Sequence, residues 1–176
     1  MELTLEAFGL LFVLVFGTCS HFIYEWSGHN KLAGIFCAVN ESTWEHMKLA
    51  IGPSLIWMAV EAPFLYSNPN FILAKALSIT AMMLLIPIIF YSFLLVLKKE
   101  TLILGILDFV FSVVVGQWIS YSILKSPAVL PWTNYLSFTL IILIVYIYLR
   151  FTINPPKIFL FKDPITNNYG FDGHSH

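Results

Sequence analysis

The chain has 176 residues, 59% of them hydrophobic and only 11% charged, with a mean hydropathy of +0.82. Soluble domains carry roughly 25% charged residues, so this composition excludes a water-soluble globular protein and makes lipid the solvent. The formal net charge of −1 gives no electrostatic case for a nucleic-acid partner, and the length allows one compact bundle without a separate soluble domain.

The first residues carry Glu2 and Glu6 and no basic residue, which does not fit the positive start of a signal peptide. Five apolar runs are long enough to cross a bilayer core of about 30 Å, which takes about 20 helical residues. They cover residues 4–26, 43–66, 71–97, 101–124 and 132–151. Lipid cannot satisfy free backbone groups, so each run is predicted to be helical. The connections Ser67 to Asn70, Lys98 to Glu100 and Lys125 to Pro131 are short, which makes successive spans antiparallel neighbours. The expected fold class is an all-α integral membrane protein. Its five transmembrane helices fill residues 1–153, and an irregular tail covers 154–176. Pro53, Pro63 and Pro87 fall inside spans and are expected to bend them for packing.

In the first span Thr18, His21 and Glu25 share one helix face. Ionisable residues inside spans are costly and face the bundle interior. His21 and Glu25, four apart, read as a metal pair or as a hydrogen-bonded pair near the interface. The loop that follows is not ordinary. Leu32 to Val39 is apolar but too short to cross, so a re-entrant or interfacial segment is predicted.

That loop delivers the most polar stretch of the chain, Asn40-Glu41-Ser42-Thr43-Trp44-Glu45-His46-Met47-Lys48. Ser42 and Glu45 fit a capping box at the start of the second span. Glu41 and Glu45 suit the positive helix end. Trp44 reads as an interfacial anchor, and Lys48 as a partner for Glu45 or Glu41. Capping does not account for His46, which becomes a candidate ligand or base.

Asp108 lies about two turns inside the fourth span, where a carboxylate costs ~2.5–3.5 kcal/mol on insertion scales. It belongs to a stripe of small and polar residues, Gly105, Asp108, Ser112, Gly116 and Ser120, that lets a neighbouring helix approach closely. Asp108 is therefore expected to reach His21 or His46, or else to bond a backbone carbonyl in its neutral form. Gln117 reads as an interhelix hydrogen bond and Glu61 as interfacial. Cys19 and Cys37 lack a CxxC spacing and read as small core residues.

The tail contains Pro155-Pro156 and Phe161-Lys162-Asp163-Pro164, with enough apolar residues to dock on the bundle. It ends in His174-Ser175-His176, which is either a metal pair or a loose terminus. The end of the bundle with the first loop, third loop and tail carries Lys31, Lys48, Lys98, Lys99, Arg150, Lys157 and Lys162, against Lys75 and Lys125 at the other. That bias predicts a protein of the cytoplasmic membrane with its tail in the cytoplasm and its N-terminus outside. All five histidines then fall toward one face.

The candidate metal ligands are His21, Glu25, His46, His174 and His176, and the candidate catalytic residues are Ser42, Glu45 and Asp108. Histidines with carboxylates suit zinc or iron. The stretch Asn40 to Lys48, with His21-Phe22-Ile23-Tyr24-Glu25 before it and Phe161 to Gly170 in the tail, resembles a family of uncharacterised small bacterial multi-span proteins. Ser42-x-x-x-His46, with a span aspartate and a late histidine pair, also resembles the CREST superfamily of membrane metallohydrolases. That second resemblance implies a zinc site on His46, His174 and His176, with Ser42 and Asp108 around its water. The expected function is hydrolysis of a lipid-like amide or ester by a metal-activated water. The alternatives are a structural polar cluster, or a metal or proton transporter or sensor.

Overall fold

The computed structural model describes residues 1–98 and 101–173. Among these residues the secondary structure is helical throughout, apart from one isolated antiparallel bridge between Lys162 and Tyr169. Helix α1 covers Glu2–Trp26, α2 Lys31–Phe36, α3 Thr43–Leu65, α4 Phe71–Leu97, α5 Leu102–Leu124 and α6 Pro131–Ile153. All but α2 are long and apolar enough to cross a membrane. They lie within two residues, at either end, of the five apolar runs read from the sequence.

The helices start where local chemistry says they should. The Ser42 hydroxyl accepts from the Glu45 N–H at 3.4 Å and caps α3. The Thr101 hydroxyl does the same for α5, and Asn30 caps α2 by accepting from Leu32. The capping box at α3 is only half made. Ser42 N–H is taken by Asn40 Oδ1 at 2.9 Å, and the Glu45 carboxylate turns instead to the Val39 N–H. Pro53, Pro63 and Pro87 are all accommodated inside α3 and α4 without ending either helix.

Helix α3 is the centre of the bundle. Half of its most apolar stretch is buried inside the protein, against 17–28% in the other spans. Close approach makes this possible. A Cβ on Gly17 would sit 2.5 Å from the Leu49 carbonyl oxygen, so only glycine lets α1 lie against α3 there. Gly116 plays the same part on α5, where a Cβ would collide with the Met82 side chain of α4. The small stripe on α5 is thus a packing face: Asp108, Ser112, Gly116 and Ser120 are all buried.

The first loop forms the six-residue helix α2, followed by the buried residues Cys37 to Asn40. At about 1.5 Å per residue α2 is about 9 Å long, and it leaves Leu32 and Phe36 exposed. The tail docks over this end of the bundle. Phe161 is buried, with its ring 5.0 Å from Trp44 and 5.3 Å from Phe151. Trp44 is therefore a core residue and not the interfacial anchor its position suggests: the tail closes over it.

Candidate functional site

At the end of the bundle that carries α2 and the tail, three side chains converge from two helices and the loop that joins α2 to α3. His21 stands near the end of α1. Glu41 precedes the α3 cap, and His46 occupies the first turn of α3. His21 Nε2 lies 3.5 Å from Glu41 Oε1, and His46 Nε2 lies 3.6 Å from Glu41 Oε2. The two imidazole rings are stacked, with centroids 5.9 Å apart. One donor atom from each of the three residues falls within 4.8 Å of the others. With bonds of about 2.0–2.2 Å, tetrahedral ligand atoms sit about 3.3 Å apart. The two measured separations, one to each Glu41 oxygen, are close to that edge, and the remaining one is within 4.8 Å, so the three side chains could hold a small divalent ion once drawn closer together.

The cluster has cavities on both sides. One of about 60 Å³ is lined by His21, Tyr24, Glu25 and Glu41, together with the loop residues Ala38 to Asn40. Another of about 40 Å³ is lined by Thr43, His46, Leu49, Ile86, Phe90, Gly105, Asp108 and Phe109. Either is large enough for water. Asp108 is buried in the second, and the Ser112 hydroxyl donates to its Oδ1 at 3.2 Å. A wider groove of about 190 Å³ lies next to that cavity, with Thr43 and Phe90 lining both. Tyr91, Phe159 and Pro164 wall this groove, and Glu41 and Lys162 supply its charge.

The structure thus brings His21, His46 and Asp108 to one region and adds Glu41, which sequence reasoning did not single out as a ligand. Glu25 is exposed and lines the first cavity together with His21 and Glu41, outside the group of three ligand atoms. Ser42 and Glu45 are turned to other work. Ser42 is buried as a cap. Glu45 Oε2 accepts from Lys48 Nζ at 2.9 Å and from the Val39 N–H at 3.0 Å. Lys48 is fully buried and also donates to the carbonyls of Gly34 and Cys37 at 2.9 Å each. This pair clamps the loop to α3, which places Glu41. His174 and His176, implied as zinc ligands by the CREST resemblance, lie outside the described residues, as do Lys99 and Glu100.

The tail reaches the cluster directly. Asp163 is buried, and its Oδ1 accepts from the Glu41 N–H at 3.2 Å. Its other oxygen accepts from the Thr166 N–H at 2.8 Å. Asn40 Nδ2 donates to the Gly170 carbonyl at 2.8 Å. Cys37 contributes packing: burial pushes its thiol above the ordinary range, with the Lys48 ammonium partly opposing. It is a buried core thiol.

Fold and site together define a multi-pass helical membrane protein with a histidine–carboxylate cluster at one end of its bundle. The family model described as "Family of unknown function (DUF6512)" matches residues 4–171, and the chain belongs to that family. No curated protein and no solved structure matches the chain.

Proposed function

We propose that the protein is a membrane-embedded metallohydrolase, holding one zinc or iron ion on His21, Glu41 and His46 and cleaving an ester or amide of a lipid-like molecule. The observation that supports this reading is the meeting of two imidazoles and one carboxylate beside a cavity that His46 shares with Asp108. Three protein ligands leave a coordination position open. A metal bound there supplies a water acidified toward pKa ~7. Asp108 is the base, placed to take a proton from a water in the shared cavity, and Ser112 fixes the carboxylate through one oxygen. Leu49, Ile86, Phe90 and Phe109 keep bulk water out. The groove past Phe90 and Tyr91 gives an apolar chain a path to that cavity, with Lys162 beside it for a polar head.

The basic residues support an orientation with this site on the cytoplasmic side. Lys75, one of the two that stand against it, is buried in ion pairs and is no loop charge. A second reading, a non-catalytic clasp, is favoured by one contact: Glu41 sits between both imidazoles and is tied through its N–H to the tail.

Elemental analysis of full-length protein from metal-replete cells separates the two. The metallohydrolase reading expects about one equivalent of zinc or iron in the wild type and none in His46→Ala. Asp108→Asn is expected to keep the metal and to lose about 10²–10⁴ in hydrolysis of fluorogenic lipid esters and amides. A wild type without metal leaves the clasp; metal without hydrolysis of any such substrate removes the enzyme.

A further inference from the structure

At the opposite end of the bundle three charges meet inside the helices. Glu6 of α1, Glu61 of α3 and Lys75 of α4 are 3%, 0% and 4% exposed. Each lies about one turn from its helix end. Glu61 is thus not the interfacial residue that its position near a span end suggests. Lys75 Nζ donates to Glu6 Oε1 at 2.6 Å and pairs with Glu61 Oε2. It also stands 5.8 Å from the centroid of the Phe71 ring. From α5 the Ser120 hydroxyl donates to Glu6 Oε1 at 2.7 Å, and Gln117 Nε2 donates to the Glu6 backbone carbonyl at 3.3 Å. The Trp57 indole of α3 lies beside Glu61 without alignment for a hydrogen bond. One turn outward on α1, Glu2 is already paired with Lys125 at 3.3 Å and accepts from Asn68. It lends the cluster no charge.

The count does not balance. Two carboxylates share one ammonium, and the excess negative charge sits in a packed interior surrounded by lipid-facing helices. An uncompensated charge there is expensive. Nor do the described residues answer it with hydrogen bonds: Glu6 Oε2 and Glu61 Oε1 are both buried without a partner. We propose that Glu6, Lys75 and Glu61 form a proton-binding site that holds one proton, carried by Glu61. The choice between the two acids follows from their donors. Glu6 Oε1 takes both the ammonium and the Ser120 hydroxyl, which stabilises its charge, whereas Glu61 has the ammonium and, beyond it, only the Trp57 indole, which forms no well-made hydrogen bond. A metal cation is a poor ligand here, because Lys75 already stands between the carboxylates and would repel it. A proton adds no volume and leaves the three side chains with no net charge. The site stands apart from the histidine cluster, and the proposal holds whatever that cluster binds.

The test is infrared spectroscopy of the full-length protein in lipid at neutral pH, with and without ¹³C-carboxyl glutamate. The expected result is a protonated-carboxyl C=O band that shifts with the label and corresponds to one glutamate per chain. Glu61→Gln removes it. Glu6→Gln also removes it, because Lys75 and Glu61 then balance as a simple ion pair, so the outcome does not hang on one variant folding. A wild type with no label-sensitive band overturns the proposal. So does a band that survives both substitutions, or one that sodium or potassium abolishes.

Discussion

The two ends of the bundle hold charge in opposite ways. At the N-terminal end Lys75 touches both of its carboxylates, and all three side chains are at most 5% exposed. At the tail end His21, Glu41 and His46 are between a quarter and a half exposed, with each imidazole 3.5–3.6 Å from Glu41 and cavities beside them. Tight, dry contacts leave no room for a metal ion between the groups that make them, even where a carboxylate oxygen is left without a donor, as on Glu6 and Glu61. A looser cluster with room beside it still has its ligand atoms to offer. A third group, Lys48 and Glu45, lies close to the second cluster yet resembles the first in being dry and short, and here the ammonium has three acceptors. Exposure and spacing, more than residue type, separate the charges that are sealed inside this fold from those that have room to meet a metal ion.

That contrast is broken most severely at Lys48. Lys48→Met strands the buried Glu45 carboxylate and the carbonyls of Gly34 and Cys37. Removing one partner of a buried pair costs about 3–5 kcal/mol, read as a fall in thermal stability in detergent. Replacing Glu45 by Gln in the same protein is expected to recover part of the loss, since no charge is then left unpaired. A Lys48→Met protein as stable as the wild type would show that the loop is held by something else. Next comes Asp163→Ala, which removes acceptors for Glu41 and Thr166. Hydrogen bonds to a charged group are worth about 1.5–3 kcal/mol. The tail of that variant is expected to be cut by protease before the bundle, and metal affinity is expected to fall as Glu41 loosens.

Much of this was legible in the residues, for reasons that are local. Apolar length finds a span whatever packs beside it, and Ser42 announces a helix start three residues ahead of its partner. The small stripe around Asp108 and Gly116 marks a packing face because only small residues permit one. What escaped depends on pairing across the chain. Glu41 was hidden because it precedes the cap: reasoning by helix faces pairs His21 with Glu25, while the loop clamp brings Glu41 to both imidazoles. Glu6, Glu61 and Lys75 are far apart in sequence, and counting Lys75 as a loop charge conceals them. A signal was present nonetheless. Each lies about one turn inside a span end that alternation places at the same face. Trp44 and the tail could not be paired from sequence, since aromatic contacts leave no spacing to read.

The smallest effect on stability is expected at the site itself. Glu41 is 43% exposed in its side chain, and its contacts to His21 and His46 exceed hydrogen-bond length. Ion pairs of that kind contribute about 0–1 kcal/mol, so Glu41→Gln is expected to melt within about 1 kcal/mol of the wild type. Its backbone N–H, the atom that Asp163 accepts from, is unchanged by the substitution, and the tail should stay docked. The same variant is expected to lose its metal, because an amide oxygen is a far weaker ligand than a carboxylate for zinc or iron. Stability kept with metal lost would separate site from scaffold at one residue. A large fall in melting temperature would instead make Glu41 a strut of the fold, like Glu45, and erase the difference between the two groups at this end of the bundle.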